Sequence, residues 1–204
     1  MVFLHIRKIK RRIIKMIKVR TYIATANVDD YFLDLLSPEK YFVEINNTDA
    51  IPLAKNTFSK QSEHVLYGVV KIELNGAAVS DFFDWDDLEL IWPGIIMMLK
   101  KYLKSKNAST ELFTRQLKWE ISFTKPESIL FKITRSYPIY NSIPTIPFSK
   151  KMTGSINEKL FIQTVLEEGE KFFEFRKNLP NYQEIEPMHE ELLKLKKVVN
   201  SKII

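Results

Sequence analysis

Five carboxylates stand within nine residues of this sequence, and two tryptophans accompany them. The carboxylates are Asp81, Asp84, Asp86, Asp87 and Glu89, and the tryptophans are Trp85 and Trp92. Carboxylate oxygens are preferred ligands of Mg²⁺, so one hypothesis is a Mg²⁺-dependent phosphodiesterase that uses these acids. Two-metal nucleases often carry Glu-x-Lys on a strand, whereas this chain has the order Lys118-Trp119-Glu120. The acids are therefore present without the strand pattern that would support catalysis.

The same segment is suited to binding a protein. Carboxylates steer a basic partner toward the surface, and aromatic side chains supply contact area once it arrives. We therefore predict a non-catalytic protein-interaction module, of the immunity or inhibitor kind, with an acidic-aromatic surface. The predicted partner-binding residues are Asp81, Asp84, Trp85, Asp86, Asp87 and Glu89. A structural interpretation competes, because acids at a helix start cap free N–H groups, with Asp84 or Asp86 as the N-cap.

Several kinds of chemistry lack the residues that they need. There is no cysteine, which excludes disulfides and thiolate nucleophiles and fits a reducing, cytoplasmic location. The three histidines, His5, His64 and His189, are far apart, and we expect His189 on a solvated helix face before Glu190-Glu191. No glycine-rich phosphate loop is present. We expect no metal site and no small-molecule cofactor, and the sequence favours a binding protein over an enzyme.

The excess basic charge of the chain is concentrated at its N-terminus. Residues 1–20 contain eight lysines and arginines and no acid, while the rest carries 23 of the 31 basic side chains and all 25 acids. Apolar residues recur every three or four positions from Val2 to Ile17, as in an amphipathic helix that binds anionic membranes or nucleic acid. The basic residues of this segment are Arg7, Lys8, Lys10, Arg11, Arg12 and Lys15. Alternatively, the apolar stripe packs on the body, or the functional chain starts at Met16.

Two hairpins are the clearest strand patterns. Residues 65–74 lead into Asn75-Gly76, a pair that favours a type I′ turn because both residues must take positive φ. Residues 117–123 alternate strictly, and residues 129–134 return with their apolar side chains on one face. Further strands are predicted at 18–28 and 41–45. The proline-rich residues 137–148 indicate an edge strand or a covering segment.

A helix with an internal proline follows the acidic segment. Its apolar stripe continues from Leu88 to Leu103 across Pro93. Proline inside a helix removes a backbone hydrogen bond and costs about 3 kcal/mol. We therefore expect either a helix that ends near Trp92 or a new helix that starts at Pro93.

Two more helices are predicted near the C-terminus. Ser155 and Glu158 form a capping box that opens a helix to about Lys177, with Glu168 among its water-facing residues. A final helix spans about 187–200, after a linker at 178–187. A short helix is also predicted at 31–36, and residues 50–63, which have no clear period, are predicted to form a loop.

These elements predict an α+β fold with a mainly antiparallel sheet of about 4–6 strands. The 85–104 and 155–177 helices are expected on one face of that sheet. The predicted organisation is a basic segment at 1–17, a single domain at 18–178, and a linker with an appended helix at 179–204. The expected partner is another protein, with an anionic membrane or nucleic acid at residues 1–20 as the alternative.

Overall fold

The structure is a computed structural model that describes residues 16–25, 37–60, 65–112, 117–135, 149–150 and 156–201. Within these residues, four α-helices and ten β-strands in two antiparallel sheets confirm the predicted α+β class. One cluster of buried side chains joins both sheets to the helices. The predicted helix at 31–36, the proline-rich residues 137–148 and the basic residues from Arg7 to Lys15 lie outside the described residues.

The first sheet has the strand order β2–β1–β3–β4, with β5 also paired to β3. Its strands are β1 (Ile17–Ala24), β2 (Phe42–Glu44), β3 (Tyr67–Leu74), β4 (Ala77–Ala78) and β5 (Asp86–Asp87). Asn75 and Gly76 join β3 to β4 with φ of 52° and 80°, which confirms the prediction that both turn residues take positive φ. Alternation along β1 and β3 places one face in the core, through Val19, Ile23, Val70, Ile72 and Leu74.

The second sheet has the strand order β10–β8–β7–β6, with β9 also paired to β8. Its strands are β6 (Asn107–Leu112), β7 (Leu117–Lys125), β8 (Ser128–Arg135), β9 (Ser149–Lys150) and β10 (Ile156–Asn157). The predicted hairpin of β7 and β8 is confirmed. The sequence does not predict β6, because only Ala108 and Leu112 of this polar strand are buried. The sequence predicts one sheet, whereas the described strands form two.

The four described helices are α1 (Ala50–Lys60), α2 (Leu88–Ser105), α3 (Glu158–Arg176) and α4 (Glu186–Ser201). The prediction of a loop at 50–63 is wrong, since α1 occupies most of it. The residues that α1 buries fully are Ala50 and Ala54, so its apolar stripe is too small to produce a clear period. The N-cap of α3 is Asn157 and not Ser155, because β10 extends up to Asn157. No described helix is long and apolar enough to cross a membrane.

The helix α2 passes through Pro93 without ending, so the predicted break is wrong. The proline costs one hydrogen bond, to the carbonyl of Glu89 four residues earlier, which is about 3 kcal/mol. The buried residues of α2 are Leu88, Ile91, Trp92, Ile95, Ile96, Met98, Leu99 and Tyr102. Burial of one large apolar side chain contributes about 1.5–3 kcal/mol. The packing of the continuous helix therefore outweighs the missing bond.

The helix α4 is appended in sequence but packs into the core against α2 and α3. Leu192, Leu195 and Val199 form its buried stripe. Gly169 of α3 permits this contact, because a Cβ there would lie 2.6 Å from Leu192 Cδ1 and 3.0 Å from Trp92 Cζ3. The segment predicted as a linker is also packed, with Leu179 and Ile185 buried.

Candidate functional site

The acidic segment enters α2 through a short 3₁₀ turn and a two-residue strand. The turn covers Phe82–Asp84, and β5 then pairs with the start of β3. Asp87 is the N-cap of α2, and its Oδ1 accepts a hydrogen bond from the backbone N–H of Glu89 at 2.8 Å. The prediction of Asp84 or Asp86 as the N-cap is wrong, because β5 keeps the chain extended up to Asp87.

Three of the predicted partner-binding residues are buried. Asp84 and Asp86 are each 1% exposed, and Trp85 is 6% exposed. Trp85 packs edge-on against Tyr67 of β3, with the ring centroids 5.7 Å apart. The expectation that these three form an exposed acidic-aromatic surface is wrong, because pairing of β5 with β3 draws them into the fold. The remaining residues, Asp81, Asp87 and Glu89, are partly exposed.

The two buried aspartates bind nearby backbone groups. Asp84 Oδ2 accepts a hydrogen bond from the N–H of Asp81 at 2.9 Å. Asp86 Oδ1 accepts one from the N–H of Asp87 at 2.7 Å. Asp86 Oδ2 is buried and has no hydrogen-bond partner within the described part of the chain. A buried carboxylate oxygen without a partner is destabilising, so Asp86 is held there by the surrounding structure.

Arg176, at the end of α3, faces the acidic residues at the start of α2. Its side chain is buried; Nε donates to Glu89 Oε1, and a terminal guanidinium nitrogen donates to the carbonyl of Pro180. These contacts tie the start of α2 to the end of α3 and to the chain beyond it. We call Asp86, Asp87 and Glu89 the acidic cluster.

Burial raises the pKa of the Asp87 carboxyl to about 6, from an ordinary value of 3.8. The charges of Glu89 and Asp86 raise this pKa further, whereas the hydrogen bond from the Glu89 N–H and the charge of Arg176 lower it. A net upward shift means that the surroundings disfavour the charged carboxylate. The charge of Arg176 and the hydrogen bond from the Glu89 N–H therefore do not offset the effect of burial on Asp87.

Glu168 is a buried carboxylate that the sequence places on the water-facing side of α3. It is 2% exposed, and its Oε1 accepts a hydrogen bond from the N–H of Thr21 in β1 at 2.7 Å. The pairing of β1 with β2 ends at Tyr22, so Glu168 supplies the acceptor that a longer β2 would have given. The water-facing prediction is wrong, and no local sequence signal reveals a contact between residues 147 positions apart.

His189 is buried, and the expectation of a solvated position is wrong. Its Nδ1 lies 2.6 Å from the Tyr182 hydroxyl, and its ring stacks on Phe173 with the centroids 5.1 Å apart. Its Nε2 lies 3.7 Å from Glu174 Oε1. Burial lowers the pKa of His189, and the charge of Lys177 lowers it further. The position of His189 three residues before Leu192 is the signal that indicates the buried face.

The acids offered as Mg²⁺ ligands have other roles. Asp84 and Asp87 accept hydrogen bonds from backbone N–H groups. Within the described residues, no group of three or more histidine or acidic side chains is placed to hold a metal ion. Binding of a membrane or of nucleic acid through residues 1–20 stays a prediction, since Arg7 to Lys15 lie outside the described part.

Comparison with known proteins establishes no relationship for this chain. No protein-family model matches it, and searches of the curated proteins and of the solved structures find no match.

Proposed function

We propose that the chain is a non-catalytic protein-interaction module, of the immunity or inhibitor kind, whose acidic cluster receives a basic side chain of a partner protein. The observation that carries this proposal is the placement of the partly exposed Asp87 and Glu89 beside the buried Asp86 at the start of α2, and the raised pKa of Asp87 agrees with it. Partial removal of the Asp87 carboxylate from water makes its charged form unfavourable in the free protein. A lysine or arginine from a partner reduces that cost on binding, and the negative field speeds its approach.

Two of the three members of the acidic cluster are accessible to solvent. Asp87 and Glu89 are partly exposed, and the next residue, Leu90, is 52% exposed. An apolar contact beside a charged pair excludes water from that pair and strengthens it. This arrangement favours a partner that presents a basic side chain next to an apolar one.

Capture experiments with a charge-removing variant test the proposal. Tagged wild-type chain and Asp87→Asn are compared in extracts of the native cell. Asparagine is as good an N-cap as aspartate, so the fold is retained while the charge is lost. We expect capture of the specific partner to fall by about tenfold or more, equivalent to about 1.4 kcal/mol. The matched control is Glu190→Gln, which removes an exposed acid of α4.

A titration on the isolated complex gives a second readout. The carboxyl pKa of Asp87, followed by NMR, falls from about 6 toward 3.8 when a partner cation binds beside it. Equal capture by wild type and Asp87→Asn, or an Asp87 pKa that the partner leaves unchanged, contradicts the proposal.

A further inference from the structure

The strand β6 forms an open edge of the second sheet. Among the described strands it pairs only with β7. The carbonyl of Lys106 accepts a hydrogen bond from the N–H of Phe123 at 2.9 Å, and bonds in an antiparallel pair recur at every second residue. The backbone groups of the alternate residues therefore point away from β7. These open-edge residues, all of them exposed, are Asn107, Ser109 and Glu111.

An exposed apolar stripe of α2 lies beside this open edge. Leu90 is 52% exposed and Met97 is 49% exposed. Gly94 lies between them on the same side of the helix and faces β6, because a Cβ there would be 2.8 Å from Thr110 Oγ1. The backbone of α2 therefore approaches β6 closely at Gly94, and the helical spacing places Leu90 and Met97 on the same side of α2 as this contact. We call Leu90 and Met97 the α2 stripe.

The two ends of α2 carry opposite charges. Asp87 and Glu89 are at its start, and the exposed residues Lys101 and Lys104 are near its end. A second α2 that runs antiparallel alongside the first places the lysines of one copy beside the acids of the other. The surface thus has an apolar centre and complementary ends, which is what a self-complementary twofold interface requires.

We propose that the open edge and the α2 stripe form a homodimer interface in which β6 strands of two copies pair antiparallel about Ser109. This register gives partners to the outward N–H and C=O groups of Ser109 and Glu111 and to the N–H of Asn107, whose C=O already accepts a hydrogen bond from the Ser105 hydroxyl at 2.6 Å. It places Glu111 opposite Asn107 of the second copy, so that no like charges face each other. The α2 stripes of the two copies meet on one face of the joined sheet, and the five-stranded sheet of each copy continues into the other.

The homodimer deepens the proposed function and rests on it in one respect. It takes from that proposal the role of the acidic cluster as a receiver of cations, and it names Lys101 and Lys104 of a second copy as their source. The open edge and the α2 stripe, in contrast, are observed independently of the acidic cluster. A variant of the open edge therefore tests the homodimer without altering the acids.

Measurement of the molar mass by light scattering and sedimentation, over a range of concentrations, tests the homodimer. For the wild-type chain we expect the mass to rise from 24.1 kDa toward twice that value. Ser109→Pro removes an outward N–H and leaves the bonds to β7 in place, so it is expected to stay monomeric. The matched control Ser109→Ala keeps the N–H and is expected to dimerise like the wild type. A wild-type chain that stays monomeric at millimolar concentration, or a dimeric Ser109→Pro variant, overturns the proposal.

A second variant decides the matter if Ser109→Pro fails to fold. Leu90→Glu combined with Met97→Glu changes only exposed side chains, so circular dichroism is expected to match the wild type. This double variant is expected to be monomeric, and a dimer would overturn the proposal. Capture by monomeric Ser109→Pro separates the two proposals. Capture that is lost together with the dimer supports both, because the second copy is then the partner. A different protein that Ser109→Pro still captures and Asp87→Asn does not supports the proposed function alone.

Discussion

Two polar sites of the molecule, the acidic cluster and the surroundings of His189, are built from different partners. At the start of α2, the acidic cluster is held by the ion pair between Glu89 and Arg176. At the start of α4, His189 is paired with the neutral Tyr182 hydroxyl and stacked on Phe173. The first site contains an ion pair, whereas the hydrogen-bond partner of His189 at the second site is a neutral hydroxyl.

The difference shows how the choice of partner decides the charge of a buried group. Arg176 donates to both a carboxylate and a backbone carbonyl, so its charge has acceptors in the core. The Nε2 of His189 has no hydrogen-bond partner within the described residues, and its closest acid, Glu174, also binds Lys177 at 2.6 Å. Burial favours the neutral form of both groups, so it raises the pKa of Asp87 and lowers the pKa of His189.

Among the substitutions at the two sites, removal of the buried guanidinium of Arg176 is expected to reduce the stability of the fold the most. Arg176→Ala leaves Glu89 without its ion-pair partner and the Pro180 carbonyl without this donor, so we expect a loss of about 3–5 kcal/mol in the free energy of unfolding. Urea unfolding near neutral pH measures it. Arg176→Lys, which keeps the charge but not the fork of donors, is expected to lose less. A loss in Arg176→Ala below about 1 kcal/mol, the size of a surface pair, would show that the ion pair is not a structural tie.

Neutralisation of Asp87 is expected to change the pH dependence of stability. Its folded pKa of about 6 exceeds the ordinary 3.8, so its contribution is full below 3.8 and is lost as the pH rises through about 6. A shift of this size corresponds to about 3 kcal/mol at most. As the pH rises from about 4 to 7, Asp87→Asn should therefore lose less stability than the wild type. Urea midpoints between about pH 4 and pH 7 measure this, and an unchanged pH profile would contradict the raised pKa.

Replacement of His189 is expected to change the pH dependence of stability by a smaller amount and with the opposite sign. Its folded pKa is depressed, so its contribution is present above 6.5 and is lost as the pH falls through the folded pKa. His189→Gln removes this acid-sensitive term. We expect the variant to lose less stability than the wild type on acidification below pH 6.5, in the same urea experiment. The imidazole signal of His189, assigned by its loss in the variant, should titrate below 6.5, and a higher value would contradict the depressed pKa.

Local patterns correctly predicted the elements whose signals depend on neighbouring residues. The Asn75-Gly76 turn follows from the need for positive φ, and the β7–β8 hairpin follows from strict alternation of apolar and polar residues. The final helix, predicted at 187–200, is observed as α4 (Glu186–Ser201) because its apolar spacing is regular. These predictions depend on short-range geometry, which the tertiary fold does not change.

The errors in the candidate site come from contacts between distant segments. Asp84 and Asp86 look like exposed helix-cap acids until β5 pairs with β3 and buries them. Glu168 looks solvated until β1 presents an N–H that needs an acceptor. In both cases the side chain keeps its chemistry, and a partner far along the chain decides whether it is buried.

The sequence by itself determined the α+β class, the position of the long helices and the concentration of acids before α2. It also determined that one end of α2 is acidic and the other basic. Only the tertiary structure decided which acids stay accessible, that α2 passes through Pro93, and that β6 is an edge among the described strands of its sheet. The physical reason is that periodicity specifies a local conformation, while burial and the pairing of charges are set by the summed packing of segments that the sequence does not place side by side.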